Sequence, residues 1–390
     1  MAKTERDQQD QHKHHRKLRT FIHILIVVLI IAFCVYLYYM RDAWIPKLEG
    51  IGSQYSSSVT QNDGTLAEGN FPLTISSSSG YDVAQVSDTL FILYDSYVDV
   101  YSMHGDDEDS RQHAYQSAAM TSNDAYCLIY EQEGTSFRVD TKSKNIYTKT
   151  ADEDIITGSV SDNGVVALVT ESSSYTCSLV IYDDTGTRIY QRNCTDHVID
   201  VIFHEDGDGC YYTTLDVVNG VVQSTVHSIL FEEEETEWTA DPLDTLVIQT
   251  EIASDGTLCV VGDSLCAYYS STGDLQGEYA YTGTLVSASI ENGRVGLIVE
   301  DDQQRETILV LLDQTAEEVE IVDLDESASY ILVADNDALV MTDGCITAYD
   351  FTGDTVATVD LEDSYTSFLK QDGYIFLLGY NQIDRVDFKE

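Results

Sequence analysis

Proline, tryptophan and basic residues are scarce in this sequence of 390 amino acids. It has three Pro, two Trp and 20 Lys and Arg against 68 Asp and Glu, which leaves a formal net charge of −48 at neutral pH. Because so negative a field repels nucleic acid and anionic lipid headgroups, we exclude nucleic-acid binding. The charge favours cations, basic proteins or simple solubility.

Signatures of catalysis are also missing. The chain has no G-x-S-x-G, no H-E-x-x-H, no P-loop and no dinucleotide fingerprint. His12, His14 and His15 are clustered in a polar tail, the histidines from residue 71 onward are scattered, and no Cys/His spacing suits zinc. The acidic runs lack the spacing of a calcium loop, so we expect weak divalent cation binding at most. We therefore predict no catalytic residues, no cofactor and no metal centre.

One long apolar run stands near the N-terminus. Residues 21–40 (FIHILIVVLIIAFCVYLYYM) match the thickness of a bilayer core, with His23 as the strongly polar exception. More basic residues precede the run than follow it: Lys13, Arg16, Lys17 and Arg19 against Arg41 and Lys47. The positive-inside rule then predicts one transmembrane helix at 21–40, a cytoplasmic tail at 1–20 and an extracytoplasmic remainder. A cleaved signal peptide is the alternative, but the run is long for one and no A-x-A-like site follows it.

After the apolar run, residues 41–70 are rich in Ser, Gly, Gln and Asn with little apolar periodicity, which is typical of a stalk or linker. From residue 71 to 390 the pattern changes. Short apolar runs of five to eight residues alternate with turn signals, and abundant Val, Ile, Thr and 26 Tyr favour strands over helices. We expect residues 71–390 to form one all-β domain.

The turn signals in this domain recur at a nearly constant interval. Their spacings are 36, 40, 45, 47, 37, 44 and 36 residues. The markers are Asp88, Asp124, Gly164, Gly209, Gly256, Gly293, Asp337 and Gly373. Such a period is that of the four-stranded blade of a β-propeller, in which each blade buries its faces against two neighbours. Eight blades follow if every marker is real, and seven is the alternative, because a long insertion can imitate a blade.

A second marker places strands within the blades. Tyr182-Asp-Asp-Thr-Gly186, Tyr269-Ser-Ser-Thr-Gly273 and Tyr349-Asp-Phe-Thr-Gly353 each end a strand and open a hairpin. The last repeat offers only three strands. Residues 71–75, which precede the first full repeat, are expected to supply the fourth and close the ring.

Acidic residues fall at most of the predicted turns. One set is expected on one face of the ring: Asp95, Glu131, Glu171, Asp263, Asp301 and Asp343. The other set is expected on the opposite face: Asp88, Asp124, Asp162, Asp255 and Asp372. Because Asp is a preferred turn residue, acids on both faces do not mark a site.

Two cysteine pairs are candidates for disulfides, since an extracytoplasmic domain lies in an oxidising compartment. Cys259 and Cys266 lie symmetrically about Gly262-Asp263 and would face each other across a two-residue turn. Cys177 and Cys194 would be opposed if Thr185 and Gly186 form the loop, whereas a bulge at Gly186 would shift them by one position. Free, buried thiols are the alternative for both pairs.

The chain has, in order, a short basic tail, one predicted anchor helix, a polar stalk and a domain that begins at Phe71-Pro72. Three short motifs accompany this layout. These are Leu90-Phe-Ile-Leu-Tyr94, Val98-Asp-Val-Tyr101 and Gln112-His113. In these features the chain resembles a family of unknown function of membrane-anchored, β-propeller-like proteins from Clostridia and related Gram-positive bacteria. The resemblance implies the fold and a location at the cell membrane, and it brings no catalytic residues.

These observations predict a noncatalytic, membrane-anchored, extracytoplasmic module that binds a protein, peptide or glycan at the cell surface. One alternative is a hydrolase or lyase that uses a carboxylate pair in the central channel. Another is a sensor or assembly subunit of a membrane complex, whose helix contacts other helices.

Overall fold

The computed structural model describes residues 59–389 except 63, 65, 78, 79, 234, 302–305, 317, 318 and 325. Within them the regular structure is entirely β, and no helix is long and apolar enough to span a bilayer. The predicted tail, transmembrane helix and most of the predicted stalk lie outside the described residues.

Two short strands precede the first blade: β1 (Thr60–Asn62) and β2 (Leu73–Thr74). Blade 1 contains β3 (Asp82–Val86), β4 (Thr89–Tyr94), β5 (Tyr97–Ser102) and β6 (Asp107–Gln112). Blade 2 contains β7 (Ala118–Ser122), β8 (Cys127–Glu131), β9 (Ser136–Thr141) and β10 (Lys144–Thr150). Blade 3 contains β11 (Ile155–Val160), β12 (Val166–Thr170), β13 (Cys177–Tyr182) and β14 (Arg188–Cys194). Blade 4 contains β15 (His197–Phe203), β16 (Gly209–Val218), β17 (Val221–Leu230) and β18 (Thr236–Thr239).

The second half of the ring repeats this order. Blade 5 contains β19 (Val247–Ile252), β20 (Leu258–Gly262), β21 (Leu265–Tyr269) and β22 (Leu275–Ala280). Blade 6 contains β23 (Thr284–Glu291), β24 (Arg294–Glu300), β25 (Thr307–Leu312) and β26 (Val319–Leu324). Blade 7 contains β27 (Ala328–Ala334), β28 (Asp337–Thr342), β29 (Cys345–Asp350) and β30 (Thr355–Asp360). Blade 8 contains β31 (Ser367–Gln371), β32 (Tyr374–Leu378) and β33 (Gln382–Asp387).

The eight-bladed propeller predicted from the repeats is confirmed, and the seven-bladed alternative is wrong. Every one of the eight turn markers lies at the hairpin between the first and second strands of a blade, and each Tyr-x-x-Thr-Gly motif lies between the third and fourth. Among β3 to β33, neighbouring strands within each blade are antiparallel and in sequence order. The strand bounds explain the short apolar runs. A second strand such as β12 is buried at all five positions, whereas an outer strand such as β22 alternates between exposed and half-buried positions.

Ring closure also occurs as predicted. β2 pairs antiparallel with β33, so that Leu73 faces Ile383 and Thr74 faces Gln382. The backbone N–H of Ile75 continues the ladder by donating to the carbonyl of Asn381 at 2.8 Å. The N-terminal strand therefore supplies the fourth strand of the last blade, which covers an edge that would otherwise be open.

The ordered ring begins before residue 71. β1 pairs in parallel with β30 and adds a fifth strand to blade 7, and the compact unit starts at Val59. The backbone N–H of Ala67 donates to the carbonyl of Arg385 at 2.8 Å. Residues 59–70 have the polar composition of a stalk, but edge-strand pairing uses backbone groups and requires no apolar periodicity.

The hydrophobic core is divided among the blade junctions. In the described part of the chain, buried apolar side chains form eight clusters, one at each junction between neighbouring blades, including the junction of blades 8 and 1. Each blade therefore depends on both neighbours for burial of its two faces.

The cysteine geometry corrects one expectation and supports another. The turn after β20 is centred one residue later than predicted, so Cys266 faces Val261 and Cys259 faces Tyr268. Cys259 and Cys266 are therefore diagonal neighbours, and the predicted direct opposition is wrong. Cys177 and Cys194 are directly opposed, as the two-residue loop predicts, although a bulge between Ile181 and Tyr182 lengthens the turn itself. All seven cysteines of the described residues carry free thiols.

Candidate functional site

The direction of the strands defines two faces of the ring. Every inner strand begins on the same face, here called the upper face, which therefore also carries the connections between blades and the hairpins between second and third strands. The hairpins between first and second strands lie on the lower face. The two predicted sets of acidic turn residues separate accordingly, the set with Asp95 on the upper face and the set with Asp88 on the lower.

A β-bulge recurs near the start of the inner strand in five successive blades. In blades 3 to 7 the register with the second strand shifts after the first or the second paired residue, so one residue is left out of the ladder. The residues left out are Ile156, Ile199, Ile248, Val286 and Ser329. A bulge bends a strand and redirects its side chains, and a bulge that recurs at one position is a built feature of the fold.

Four of the five bulged residues are aliphatic and reach solvent. Ile156 is 41% exposed, Ile248 51% and Val286 44%, while Ile199 is half-buried. Because they occupy equivalent positions where the inner strands of blades 3 to 6 begin, they surround one side of the entrance to the central channel. We call these four residues the aliphatic crescent. Single exposed apolar residues are ordinary, whereas apolar residues exposed at equivalent positions of successive blades make this part of the upper face a candidate docking surface.

Exposed carboxylates flank the crescent. Asp154, Asp196 and Asp244 each lie within four residues before a crescent position, in the connections that lead into blades 3, 4 and 5. The side-chain amide of Gln223 donates to Asp244 at 2.7 Å, which ties the connection into blade 5 to the β16–β17 hairpin. The crescent is thus an apolar surface with an acidic border.

The β16–β17 hairpin extends above this face. Both strands have ten residues, and no other strand of the described chain has more than eight. Pairing with β15 stops at Leu215, so residues 216–223 project as a free two-stranded segment, here called the valine arm. Asn219 and Gly220 form its turn with φ of 54° and 86°, as a two-residue type I′ hairpin requires.

Valine side chains cover both sides of the arm. Val217 pairs with Val222, and Val218 pairs with Val221. Their exposures are 60%, 39%, 41% and 45%, respectively. Since cross-strand partners lie on the same side of a hairpin, each side of the arm presents one valine pair to solvent. The arm therefore adds a second exposed apolar surface to the upper face.

Comparison with known sequences identifies the family. Residues 68–388, most of the chain, match the family of unknown function DUF5711. The chain belongs to this family. No curated protein matches the sequence.

Solved structures that resemble this DUF5711 propeller share its fold at low sequence identity. Sqt1 from Saccharomyces cerevisiae has a TM-score of 0.58 at 11% identity, covering 83% of this chain and all of its own. BamB from Moraxella catarrhalis has 0.55 at 10%, with the same coverage. Apo AztD from Citrobacter koseri has 0.51 at 10%, over 79% of this chain and 90% of its own. At such identities the likeness shows the fold alone.

Two half-buried carboxyls lie on inner strands, where a carboxylate pair was considered from the sequence. Burial raises the pKa of Asp200 in blade 4 and of Glu251 in blade 5. Asp200 accepts a hydrogen bond from the Thr250 hydroxyl and one from the Val201 N–H at 2.9 Å. Glu251 accepts from the backbone N–H groups of Asn292 and Gly293 in blade 6. Each carboxyl thus joins its strand to neighbouring structure, and the two share no hydrogen-bond partner.

Two surface grooves have the volume of small-ligand sites. One, of about 390 Å³, follows the seam between blades 7 and 8, where the Asp384 carboxylate already accepts hydrogen bonds from Tyr365 at 2.8 Å and Gln382 at 2.6 Å. The other, of about 300 Å³, lies on the upper face at the junction of blades 2 and 3. Among the described residues, no group of three His, Cys, Asp or Glu is placed to hold a metal ion.

The sequence analysis named no site residues, and it did not anticipate the exposed side chains of the crescent. A signal was present: all four crescent residues follow an aliphatic residue directly and precede a polar one, in Ile155-Ile156-Thr157, Val198-Ile199-Asp200, Val247-Ile248-Gln249 and Leu285-Val286-Ser287. In a strand whose residues alternate strictly between the two faces, each of these segments would have a polar second residue or an apolar third residue. A repeated doublet at the start of an inner strand therefore indicates a bulge.

Proposed function

We propose that this protein is a noncatalytic binding or scaffold module that docks a protein partner on the upper face of its propeller. It is anchored by the helix at 21–40, with the propeller on the extracytoplasmic side. The observation that carries the docking proposal is the aliphatic crescent, which places three exposed apolar side chains and one half-buried one on bulges repeated in consecutive blades. A surface kept apolar at equivalent positions of successive blades is suited to burial against another chain.

The border of the crescent indicates the chemistry of the partner. Asp154, Asp196 and Asp244 surround an apolar patch on a chain of net charge −48. Opposite charges across an interface guide association, and like charges oppose it. The matching partner is a protein segment with apolar side chains at its centre and Lys or Arg on either side. A second copy of this acidic chain lacks that complementarity.

The valine arm enlarges the docking surface. It lies on the same face as the crescent and belongs to blade 4, within the group of blades that carries the crescent. Its four valines gain the free energy of apolar burial, about 25 cal/mol per Å² of surface covered. The arm and the crescent can therefore contact one partner from two sides.

A matched pair of triple variants tests the docking surface. I156S/I248S/V286S removes three exposed crescent side chains, and I146S/I189S/I321S removes three similarly exposed isoleucines from outer strands. With a photo-crosslinking residue at Gln249, the wild type and the outer-strand variant should give the same crosslinked protein in the native membrane. The crescent variant should lose it. Equal crosslinking by both variants would refute docking through the crescent.

The location is tested separately. Protease added to intact protoplasts should remove the propeller and leave the N-terminal tail protected, because the basic residues before residue 20 predict a cytoplasmic tail. Survival of the propeller until the membrane is lysed would reverse the orientation.

A further inference from the structure

The groove at the junction of blades 2 and 3 has a mainly polar lining. Its walls come from the connection into blade 3 at 152–153, the upper-face loop at 170–175 and the outward ends of β13 and β14. They carry three consecutive serines, Ser172 to Ser174, together with amides, carboxylates and one guanidinium. Polar groups make up more of the lining than apolar groups do, so a ligand there is held mainly by hydrogen bonds.

Part of this lining is already bonded. The guanidinium of Arg188 donates to Asp152 at 2.7 Å and to the side-chain oxygen of Gln191 at 3.3 Å. The hydroxyl of Ser178, on a residue only 4% exposed, donates to the side-chain oxygen of Asn193 at 2.9 Å. These bonds orient the side-chain oxygen of Gln191 towards Arg188 and that of Asn193 towards Ser178. Their NH₂ groups are then directed away from Arg188 and Ser178.

Other groups in the groove are available to a ligand. Within the described residues, the NH₂ groups of Gln191 and Asn193 donate to no protein acceptor, and the side chains of Glu153 and Glu171 accept from no protein donor. The groove thus offers two oriented donors and two carboxylate acceptors a short distance apart. A ligand whose neighbouring groups both donate and accept can satisfy all of them at once, and vicinal sugar hydroxyls have this property.

An aromatic side chain completes the groove. Tyr175 lines it and is 49% exposed, although tyrosine is a large and partly apolar residue. An aromatic face at the edge of a polar groove can cover the C–H face of a sugar ring while the hydroxyls bond to the polar wall. The loop that holds Tyr175 is ordered by the Ser172 hydroxyl, which accepts from the N–H groups of Ser174 and Tyr175 at 3.5 and 3.3 Å.

Charge narrows the ligand class. Asp152, Glu153 and Glu171 outnumber the single Arg188, so the groove is net negative within a strongly acidic protein. Phosphorylated, sulfated and uronic-acid sugars are repelled. We propose that this groove is a carbohydrate subsite for a neutral or amine-bearing glycan. It is separate from the docking surface of the aliphatic crescent and does not depend on it.

Calorimetric titration of the propeller with four probes tests the subsite: N-acetylchitotetraose, its deacetylated form, maltotetraose and a hyaluronan tetrasaccharide as the anionic probe. We expect heat of binding from at least one neutral or amine-bearing probe at concentrations up to about 10 mM and none from the anionic probe. Y175A and N193L should each weaken binding by about tenfold or more. Hydrogen exchange of residues 170–175 should slow when the sugar is bound.

The chain supplies a matched control. Tyr380 is 91% exposed on the upper-face hairpin of blade 8, so Y380A removes an exposed tyrosine from the same face without touching the groove. Its affinity should equal that of the wild type. The subsite is overturned if no neutral or amine-bearing probe binds, if the anionic probe binds best, or if Y175A binds as well as Y380A. Since Tyr175 is half exposed, Y175A is expected to remain folded, which thermal unfolding verifies.

Discussion

Cys177 lies directly opposite Cys194 across the β13–β14 hairpin, and each thiol donates to a backbone carbonyl, Cys177 to that of Asp196 at 3.4 Å and Cys194 to that of Arg192 at 3.9 Å. The neighbouring Cys194 and the Val198 N–H, which donates to the Cys177 sulfur at 3.5 Å, lower the pKa of Cys177 in spite of its burial. The neighbouring Cys177 and burial together raise the pKa of Cys194. One thiol of the pair is therefore prepared to act as the attacking thiolate.

We predict that this pair oxidises selectively. Oxidised glutathione at pH 8 should convert the two thiols into a disulfide and release two molecules of glutathione, by attack of the Cys177 thiolate and resolution by Cys194. Closing a loop of about 17 residues should stabilise the protein by about 3 kcal/mol. Peptide mapping after alkylation measures the bond. Recovery of both cysteines alkylated without reduction would contradict the predicted disulfide. Cys259 and Cys266, which are diagonal neighbours, are the control pair and should stay reduced.

The closing strand should control the stability of the ring. A truncated chain that begins at Tyr81 lacks Leu73 and Ile75, which are 7% and 5% exposed at the junction of blades 8 and 1. Because the truncation removes these two buried side chains and exposes the edge of β33, it should lower the free energy of unfolding by about 3 to 6 kcal/mol. Urea titration measures it.

A chain that begins at Asn70 is the control for that truncation, since it keeps β2 and loses β1. We expect it to remain a cooperative, all-β domain with a smaller loss of stability. Equal stability of the two truncated chains would show that β2 does not close the ring.

We expect the stability of the ring to depend strongly on Arg385, which lies at the junction of blades 8 and 1. It is 1% exposed, its guanidinium lies 4.3 Å from the Tyr374 ring and 5.2 Å from the Phe71 ring, and it donates to the carbonyls of Met103 and Glu68. R385M keeps the bulk but orphans both carbonyls, so we expect a loss of about 2 to 5 kcal/mol. Denaturant unfolding measures it.

Arg188 is the matched comparison for Arg385, because its ion pair with Asp152 is solvent-exposed. R188A should cost about 0 to 1 kcal/mol. If R385M were as stable as R188A, Arg385 would not stabilise the junction of blades 8 and 1.

His227 should make the propeller less stable in mild acid. Its ring stacks on Tyr212 at 4.7 Å, and its two nitrogens lie 3.0 Å from the hydroxyls of Thr214 and Thr239. Burial chiefly, and the charge of Arg192 secondarily, lower its pKa from 6.5 to about 4. Below pH 6.5 the unfolded chain therefore gains a proton that the folded chain does not, and stability falls as the pH decreases towards 4.

The size of this effect follows from the shift in pKa. For a partly exposed ring we expect about 1 to 3 kcal/mol between pH 7.5 and 4.5. H227Q retains polar contacts without titrating and should lose correspondingly less stability over that interval. Unfolding titrations at both pH values test this, and parallel losses in the two proteins would exclude His227 as the cause.

The sequence by itself determined the all-β fold, its repeats and the strand that closes the ring, while the choice of eight blades over seven came from the structure. These features follow from local signals, because a hairpin turn such as Asp183 to Gly186 and the apolar run beside it lie within about ten residues. The opposition of Cys177 and Cys194 was also readable, since a short loop determines its own register.

Only the tertiary structure decided the rest. Whether Ile248 is buried or exposed depends on a bulge against the neighbouring strand, and the donors of the groove are oriented by bonds between side chains on adjacent strands. The polar segment around Thr60 became a strand because β30 offers an open edge, and Arg385 contacts Glu68 across 317 residues of chain. Such contacts arise between segments distant in sequence, so no local pattern encodes them, and they form only when the ring closes.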